Sequence, residues 1–175
     1  VPVEKQLPLW PASRPGVLVS LAIDEPPIPY IAKDQPLNII NQSINGAAIR
    51  RGLPLSWPLD SDVDSGKVRA SDVKAGFVQQ VTKASKDYSV HSILIGHVKR
   101  LSNDLWQGQW QLIRDGKTAS WNSPKADLDS VMSVGIDAVA DALADEFSIL
   151  SGDEQEQGLL LVKVENITDL NGYAA

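Results

Sequence analysis

The stretch that decides the fold reads SILIGHVKRL (residues 92–101), LWQGQWQLIR (105–114) and KTASWNS (117–123). Apolar and polar residues alternate through most of these three segments, which is typical of half-buried strands. The segments are joined by Asn103-Asp104 and Asp115-Gly116, and an Asp-Gly pair between alternating segments favours a tight hairpin. The stretch therefore predicts a three-stranded antiparallel meander.

Both turns, taken as two-residue connections, fix the pairing of the predicted strands. The second turn places Trp110 opposite Trp121, and the first turn places His97 opposite Trp110. The register collects apolar side chains on one face, which we expect to be core: Ile93, Ile95, Leu101, Trp106, Trp110, Leu112 and Trp121. The other face carries polar side chains: Arg100, Gln107, Gln109 and Gln111.

Two further strands are predicted before the meander. Residues 16–23 (GVLVSLAI) are apolar on both faces and predict a central, covered strand. Residues 53–59 (LPLSWPL) predict at most a short edge strand, because Pro54 and Pro58 cannot donate to a ladder. The acidic residues 60–67 after it are expected to form a loop.

Three segments have helical spacing. The first starts its apolar stripe at Leu37 and ends near Gly52, where a left-handed cap is expected, with Arg50 and Arg51 in its last turn. The second has Ser71 as its N-cap and steps through Val73, Phe77, Val81, Ala84 and Tyr88. The third spans about 126–147, with Leu128, Met132, Val139, Leu143 and Phe147 facing inward.

The order β-α-β-α-β-β-β-α predicts an α/β fold, in which helices pack on a mixed sheet. We expect one α/β domain over residues 16–150, preceded by an extended proline-rich tether at 1–15. An acidic linker at 151–157 follows, and residues 158–175 are expected to hold a strand and the start of a truncated helix.

Composition excludes several classes of function. The chain has 175 residues and a net charge of −6, which argues against nucleic-acid binding. It contains no cysteine, so disulfides and thiolate chemistry are excluded. No apolar run approaches the ~20 residues of a membrane-spanning helix. We find no phosphate loop, nucleophile elbow or zinc signature, and we expect no cofactor.

The histidines and the strand tryptophans are the first residues to test for chemistry. His97 has the titration range of a general base, but no orienting partner is near it in sequence, so we favour a packed histidine. Trp106, Trp110 and Trp121 suit either a stacking platform for a sugar or peptide, or a core; their alternating spacing favours core.

An acidic stripe marks the third helix, where Asp129, Asp137, Asp141 and Asp145 share one face. Like charges at i, i+4 are mildly destabilising, so the stripe is either a solvated face, which we favour, or a surface for a basic partner or a loosely held divalent cation. Trp10 and Trp57 lie in proline-rich segments and are predicted to be exposed aromatics. These six residues form the predicted interaction surface.

Several short motifs resemble one bacterial family. They are Arg50-Arg51-Gly52-Leu53-Pro54-Leu55 with Pro58-Leu59-Asp60, Ser71-Asp72-Val73 with Gly76-Phe77, Ile93-Leu94-Ile95-Gly96, Trp106 with Gly108-Gln109-Trp110, and Gly135-Ile136-Asp137 with Ala140-Asp141-Ala142-Leu143-Ala144. On these residues, over about 15–173, the chain resembles the uncharacterised family catalogued as domain-of-unknown-function family 2066. The resemblance implies an exported, periplasmic protein whose signal peptide has been removed and whose family continues past residue 173. It implies no activity and therefore no catalytic residue.

Two functions remain open at this point. The element order is similar in topology to the amino-terminal domain of the translocation protein TolB and to lipoprotein activators of peptidoglycan synthases, which are envelope interaction modules. We therefore expect a non-enzymatic module that binds another envelope protein. The alternative is a hydrolase or sugar-processing enzyme, which would need two carboxylates converging within ~5–10 Å.

Overall fold

A six-stranded mixed sheet organises residues 16–147, the part of the chain that this computed structural model describes. The elements in chain order are β1 (Val17–Asp24), β2 (Tyr30–Ile31), α1 (Ile39–Arg51), β3 (Leu55–Ser56), α2 (Asp60–Asp64), α3 (Ala70–Lys74), α4 (Val78–Ala84), β4 (Ser92–Ser102), β5 (Leu105–Arg114), β6 (Lys117–Ala126) and α5 (Leu128–Phe147). The α/β class with helices on a mixed sheet is therefore confirmed. The predicted tether, acidic linker and C-terminal strand, together with Trp10, lie outside the described residues.

The central position predicted for the first strand is confirmed, because β1 has neighbours along both edges. It runs parallel to β4 on one side, and on the other side it pairs with β3 in parallel and with β2 in the antiparallel sense. The sheet order is β2-β1-β4-β5-β6, with β3 beside β1. The segment with Pro54 and Pro58 contributes only the two-residue β3 at the edge, as the missing donors predict.

Helices cover both faces of this sheet. Helices α1 and α5 pack on one face over a core that includes Leu21, Ile44, Trp110 and Ile136. A second, smaller core beneath α3 and α4 includes Val73, Val81 and Ile95 on the opposite face. Beyond that core, the opposite face of β5 and β6 presents polar side chains.

The first predicted helix is largely confirmed, and α1 ends where expected. Gly52 has a positive φ of 61° and its N–H bonds the Ile49 carbonyl, which is the conformation that glycine adopts without strain. The prediction that Leu37 is inward was wrong, since its side chain is 92% exposed. The reason is that the Asn38 side chain caps the helix at Ile40 N, so Leu37 precedes the first turn.

The prediction of one long second helix was wrong, because the segment forms two short helices, α3 and α4. Gly76, at φ 66°, ends the first of them in the left-handed region. Because the helix is interrupted at Gly76, the residues after it no longer continue the predicted apolar stripe. Phe77 is therefore 51% exposed instead of facing inward. Ser71 is not the N-cap, since Arg69 occupies that position. The expected acidic loop at 60–67 also contains a helical turn, α2.

One half of the predicted meander register is confirmed and the other half is shifted by one residue. Trp110 pairs with Trp121 across the Asp115-Gly116 turn, as predicted. The Asn103-Asp104 turn also forms, but a bulge between Arg100 and Ser102 leaves Leu101 out of the ladder. Trp110 therefore pairs with Gly96 instead of His97. Because side chains alternate along a strand, Ile93, Ile95 and His97 lie on the face opposite Trp110.

Trp110 occupies the centre of the larger core and is only 1% exposed. Its ring is surrounded by a glycine cage, Gly96 on β4, Gly108 on β5 and Gly135 on α5. A methyl group on any of the three would lie 2.5–2.6 Å from an atom of the indole. The indole Nε1 donates to Ser123 Oγ over 2.8 Å, and that hydroxyl donates to the Val131 carbonyl of α5 over 2.9 Å. One side chain thus joins three strands to one helix.

Replacing Gly135 with alanine tests the cage, because helix propensity and packing predict opposite signs. Alanine in a helix is worth up to ~1 kcal/mol over glycine, whereas overpacking a core costs typically ~1–3 kcal/mol. We expect Gly135→Ala to lower the free energy of unfolding by about 1–2 kcal/mol in a denaturant titration.

The matched control is Gly46→Ala in α1, where an added methyl would meet only the Arg50 guanidinium at 3.8 Å. This variant should raise the free energy of unfolding, or leave it unchanged. Equal stabilisation by the two substitutions would contradict the cage.

Candidate functional site

The acidic stripe of α5 is exposed, and half of it is engaged within the protein. Arg51, in the last turn of α1, forms ion pairs with Asp141 through Nη2 and with Asp137 through Nε, the latter over 3.7 Å. Asp129 and Asp145 have no ion pair within residues 16–147. The stripe therefore contributes helix-to-helix contacts at its middle and free carboxylates near its ends.

The tryptophans divide between core and half-buried positions. Trp106 and Trp110 are buried in the core, as their alternating spacing predicts, and Trp121 packs half-buried against the same core. The prediction that Trp57 is an exposed aromatic was wrong. Its side chain is half-buried against the core, because the Leu55–Ser56 strand pairs with β1 and carries it there.

A groove of about 790 Å³ opens between α1, the β4–β5 hairpin and the start of α5. We call this the α1 groove. Its floor is apolar and includes Trp106, Ile40 and Leu128, all buried. One wall carries Ile39, whose side chain is 68% exposed at the first turn of α1. The exposed Ile39 and the buried Trp106 both line this groove.

The rim of the α1 groove is charged, with four carboxylates and two guanidinium groups among its lining residues. Arg100 lies 5.4 Å from the Trp106 ring centroid and 3.3 Å from the Glu25 carboxylate, and Arg50 donates to Ser133 Oγ. The basic side chains are thus held by neighbours in the protein. Asp104 and Asp129 are exposed, and neither forms an ion pair with any described residue. With four carboxylates against two guanidinium groups, the rim carries an excess of negative charge.

Asp127, on the same rim, caps α5 instead of facing a partner. Its carboxylate accepts hydrogen bonds from Ser130 N over 2.9 Å and from Ser130 Oγ over 2.7 Å. These bonds hold the pKa of Asp127 below its ordinary value. A carboxylate kept ionised at the first turn of a helix stabilises that helix end.

His97 lies in a different place, on the polar side of the sheet. Its Nε2 is 3.3 Å from Asp24 Oδ2 and its Nδ1 is 3.3 Å from Gln109 Oε1. Lys74 Nζ, from α3, lies 2.6 Å from the same Asp24 oxygen. The prediction of a packed histidine is confirmed, since the side chain of His97 is only 13% exposed. The predicted face was wrong, because the bulge at Leu101 places His97 on the face opposite Trp110, where it contacts Asp24. The hydrogen bond from Lys74 lowers the pKa of Asp24, burial opposes this shift, and the contact with His97 adds to it.

Above this cluster lies an open cleft of about 260 Å³, which we call the His97 cleft. Its floor is formed by alternate side chains of β5 and β6, including Gln109, Gln111, Ser120 and Asn122. Among the residues described as lining it, none is a carboxylate, and Lys74 and His97 are its ionisable side chains. Asp24 of β1 forms an ion pair with Lys74 of α3 and also contacts His97 of β4, so this cluster connects the three elements. Sequence spacing gave no signal for it, because Asp24 and His97 are 73 positions apart.

Within residues 16–147, no group of three or more histidine, aspartate or glutamate side chains is placed to hold a metal ion. No helix in the same range is both long enough and apolar enough to cross a membrane. Neither protein-family models nor curated proteins give a match to this chain. The family resemblance seen in the sequence motifs therefore stays a prediction.

The Asp24 cluster predicts a specific dependence of stability on pH. A carboxylate whose pKa is lower in the folded state contributes stability above its ordinary pKa, and this contribution is lost as the pH falls through the lowered value. We expect Asp24→Asn to reduce the free energy of unfolding by about 1–2 kcal/mol at pH 7. At about pH 2–3 the difference from the parent protein should shrink.

The matched control is Asp34→Asn, which removes the same charge from an exposed carboxylate. Denaturant titrations between pH 2 and pH 7 would measure both variants. A constant difference across this range for Asp24→Asn would contradict the ionic role of Asp24.

Proposed function

We propose that this chain is a non-enzymatic protein-interaction module of the bacterial envelope, and that the α1 groove binds a segment of another envelope protein. The observation that carries the proposal is the combination of exposed Ile39, buried Trp106 and unpaired rim carboxylates in one groove. The partner segment is expected to present an apolar face flanked by Arg or Lys side chains.

Apolar contact would supply most of the affinity. Ile39 is two-thirds exposed, and covering an isoleucine side chain is worth about 1.5–3 kcal/mol when it is fully buried. The groove lies along α1, which gives a helical or extended segment a straight wall to follow. Burial of Ile39 against a partner would therefore remove from water an apolar side chain that the fold leaves uncovered.

Charge would select the partner and accelerate its approach. Asp104 and Asp129 face solvent at the rim, and the net charge of the chain is −6. Acidic rims attract basic segments and repel acidic ones, and the attraction weakens as salt screens it. Of the acidic stripe predicted from sequence, Asp129 is the member that lines this groove.

The hydrolase alternative receives less support from the arrangement of the titratable groups. A glycosidase needs two carboxylates facing one reaction centre, one of them with a raised pKa. Among the described residues, the His97 cleft is not lined by a carboxylate, and the carboxylates of the α1 groove lie on an open rim. The envelope location is supported by the sequence resemblance, and cell fractionation of the bacterium that makes the protein would test it.

A defined peptide probe can test the groove before the partner is known. The probe is a short amphipathic helical peptide with Leu on one face and Arg on the other, titrated into the labelled protein and followed by amide chemical shifts. We expect shifts to concentrate on α1, the β4–β5 hairpin and the start of α5, and to weaken as salt rises. Ile39→Ser should weaken binding about tenfold, and Asp129→Lys about threefold.

Two controls match these variants on the same helices. Ile49→Ser removes a similarly exposed isoleucine of α1, 77% against 68% for Ile39, that does not line the groove. Asp145→Lys reverses a charge at the far end of α5. Both should bind the peptide like the parent protein. Equal loss with the control variants, or equal binding of a peptide with Glu in place of Arg, would contradict the proposal.

A further inference from the structure

Strand β6 is the outer strand at one end of the sheet, and its one strand partner among the described elements is β5. Arg114 and Lys117 flank the two-residue Asp115-Gly116 turn and pair with each other. Hydrogen-bonded pairs alternate along an antiparallel ladder, starting from the pair beside such a turn. The N–H and C=O groups of Thr118, Ser120 and Asn122 therefore point away from β5, toward the open edge.

This edge lacks the features that usually block strand pairing. Residues 118–123 (TASWNS) contain neither a charge nor a proline, and all but Trp121 and Ser123 are exposed. Natural edge strands are commonly protected by inward charges, prolines or bulges. Here the protection starts only at Pro124 and Lys125, where the register with β5 also shifts. Six residues therefore form an uncharged edge that no other described strand covers.

We propose that β6 pairs with β6 of a second copy of this chain, antiparallel, with Ser120 opposite Ser120 on the two-fold axis. This register uses all three outward-pointing residues of each copy, because Thr118 then pairs with Asn122. It also brings Ala119 beside the half-buried Trp121 of the other copy on the face that carries α5.

Neighbouring registers are less favourable. A register centred on Trp121 would place Lys117 opposite Lys125 and would set Pro124 against Thr118, where a donor is needed. A register centred on Ala119 would leave Asn122 facing the Asp115-Gly116 turn instead of a strand. In the Ser120 register, Lys117 faces Ser123, so that no like charges meet.

The alternative occupant is the segment at residues 158–164, which the sequence predicts to be a strand. Strand β6 runs parallel to β1, and α5 lies on the same face as α1. The crossover from β1 through α1 to β3 moves toward the β2 end of the sheet. A crossover from β6 through α5 to a parallel strand outside β6 would move toward the other end. The two crossovers would then have opposite hands, and left-handed crossovers are found in only about 2% of cases. A second copy meets no such restriction.

The absence of cysteine from the chain allows a direct test, because an introduced cysteine is the sole thiol. Paired residues of an antiparallel ladder have Cα atoms about 5.5 Å apart when hydrogen-bonded, within the range of a disulfide. We expect the 175-residue chain with Ser120→Cys to form a covalent dimer under mild oxidation. Thr118→Cys alone should not form a covalent dimer, because in this register the two Thr118 residues are four positions apart along the strands. A mixture of Thr118→Cys and Asn122→Cys should give the crosslinked heterodimer, because these two residues are paired.

A charge variant tests the same pairing without a covalent bond. Ser120→Lys places two ammonium groups opposite each other on the axis and should abolish the dimer in sedimentation velocity at high protein concentration. Gln107→Lys makes the same charge change on the same face but one strand inward, and it should leave the dimer unchanged. Peptide binding in the α1 groove should not respond to Ser120→Lys, so this proposal fails separately from the proposed function.

Three results would overturn the pairing. The first is a 175-residue chain that remains monomeric at about 1 mM, above the Kd of even a weak interface. The second is crosslinking of Thr118→Cys as fast as that of Ser120→Cys. The third is a dimer that appears only after residues 152–175 are deleted, which would mean that the chain's own C-terminal segment covers β6.

Discussion

The burial of Trp110 inside the glycine cage is the constraint on which the other parts of the described structure depend. The indole touches positions on β4, β5 and α5 where even a methyl group would be too close. Its N–H donates a hydrogen bond to Ser123 Oγ of β6, and that hydroxyl donates to the Val131 carbonyl of α5. A buried polar atom without a partner costs about 1–3 kcal/mol, so the ring and the hydroxyl must be placed together. This fixes how α5 lies on the sheet.

The position of α5 in turn sets the surfaces on which the functional proposals rest. Leu128, in its first turn, and Trp106, four residues before Trp110 on β5, form the floor of the α1 groove. Arg51 connects α1 to the middle of α5, which keeps the two walls of the groove in place. Helices α1 and α5 occupy one face, and beyond α3 and α4 the opposite face of β5 and β6 presents amides and hydroxyls. Among the described strands, only β5 pairs with β6.

The sequence predicts local features well and long-range ones poorly. The Asp115-Gly116 turn, the cap at Gly52 and the two-residue β3 all follow from backbone preferences of glycine and proline. The bulge at Leu101 has no such local signal, and one extra residue reverses which face His97 occupies. The break at Gly76 was hidden by an apolar stripe that continues across it. The partnership of Asp24, Lys74 and His97 joins three elements, and spacing along the chain cannot reveal it.

The exchange of the Trp110 indole N–H with solvent deuterium, followed by NMR, tests the central role of this side chain most directly. We predict that it exchanges more slowly than the indole N–H groups of Trp57, Trp106 and Trp121. Its exchange should require global unfolding, so that the free energy from exchange equals the free energy of unfolding from denaturant titration. Exchange at a much lower free energy, through local opening, would show that the fold does not depend on Trp110 and its glycine cage.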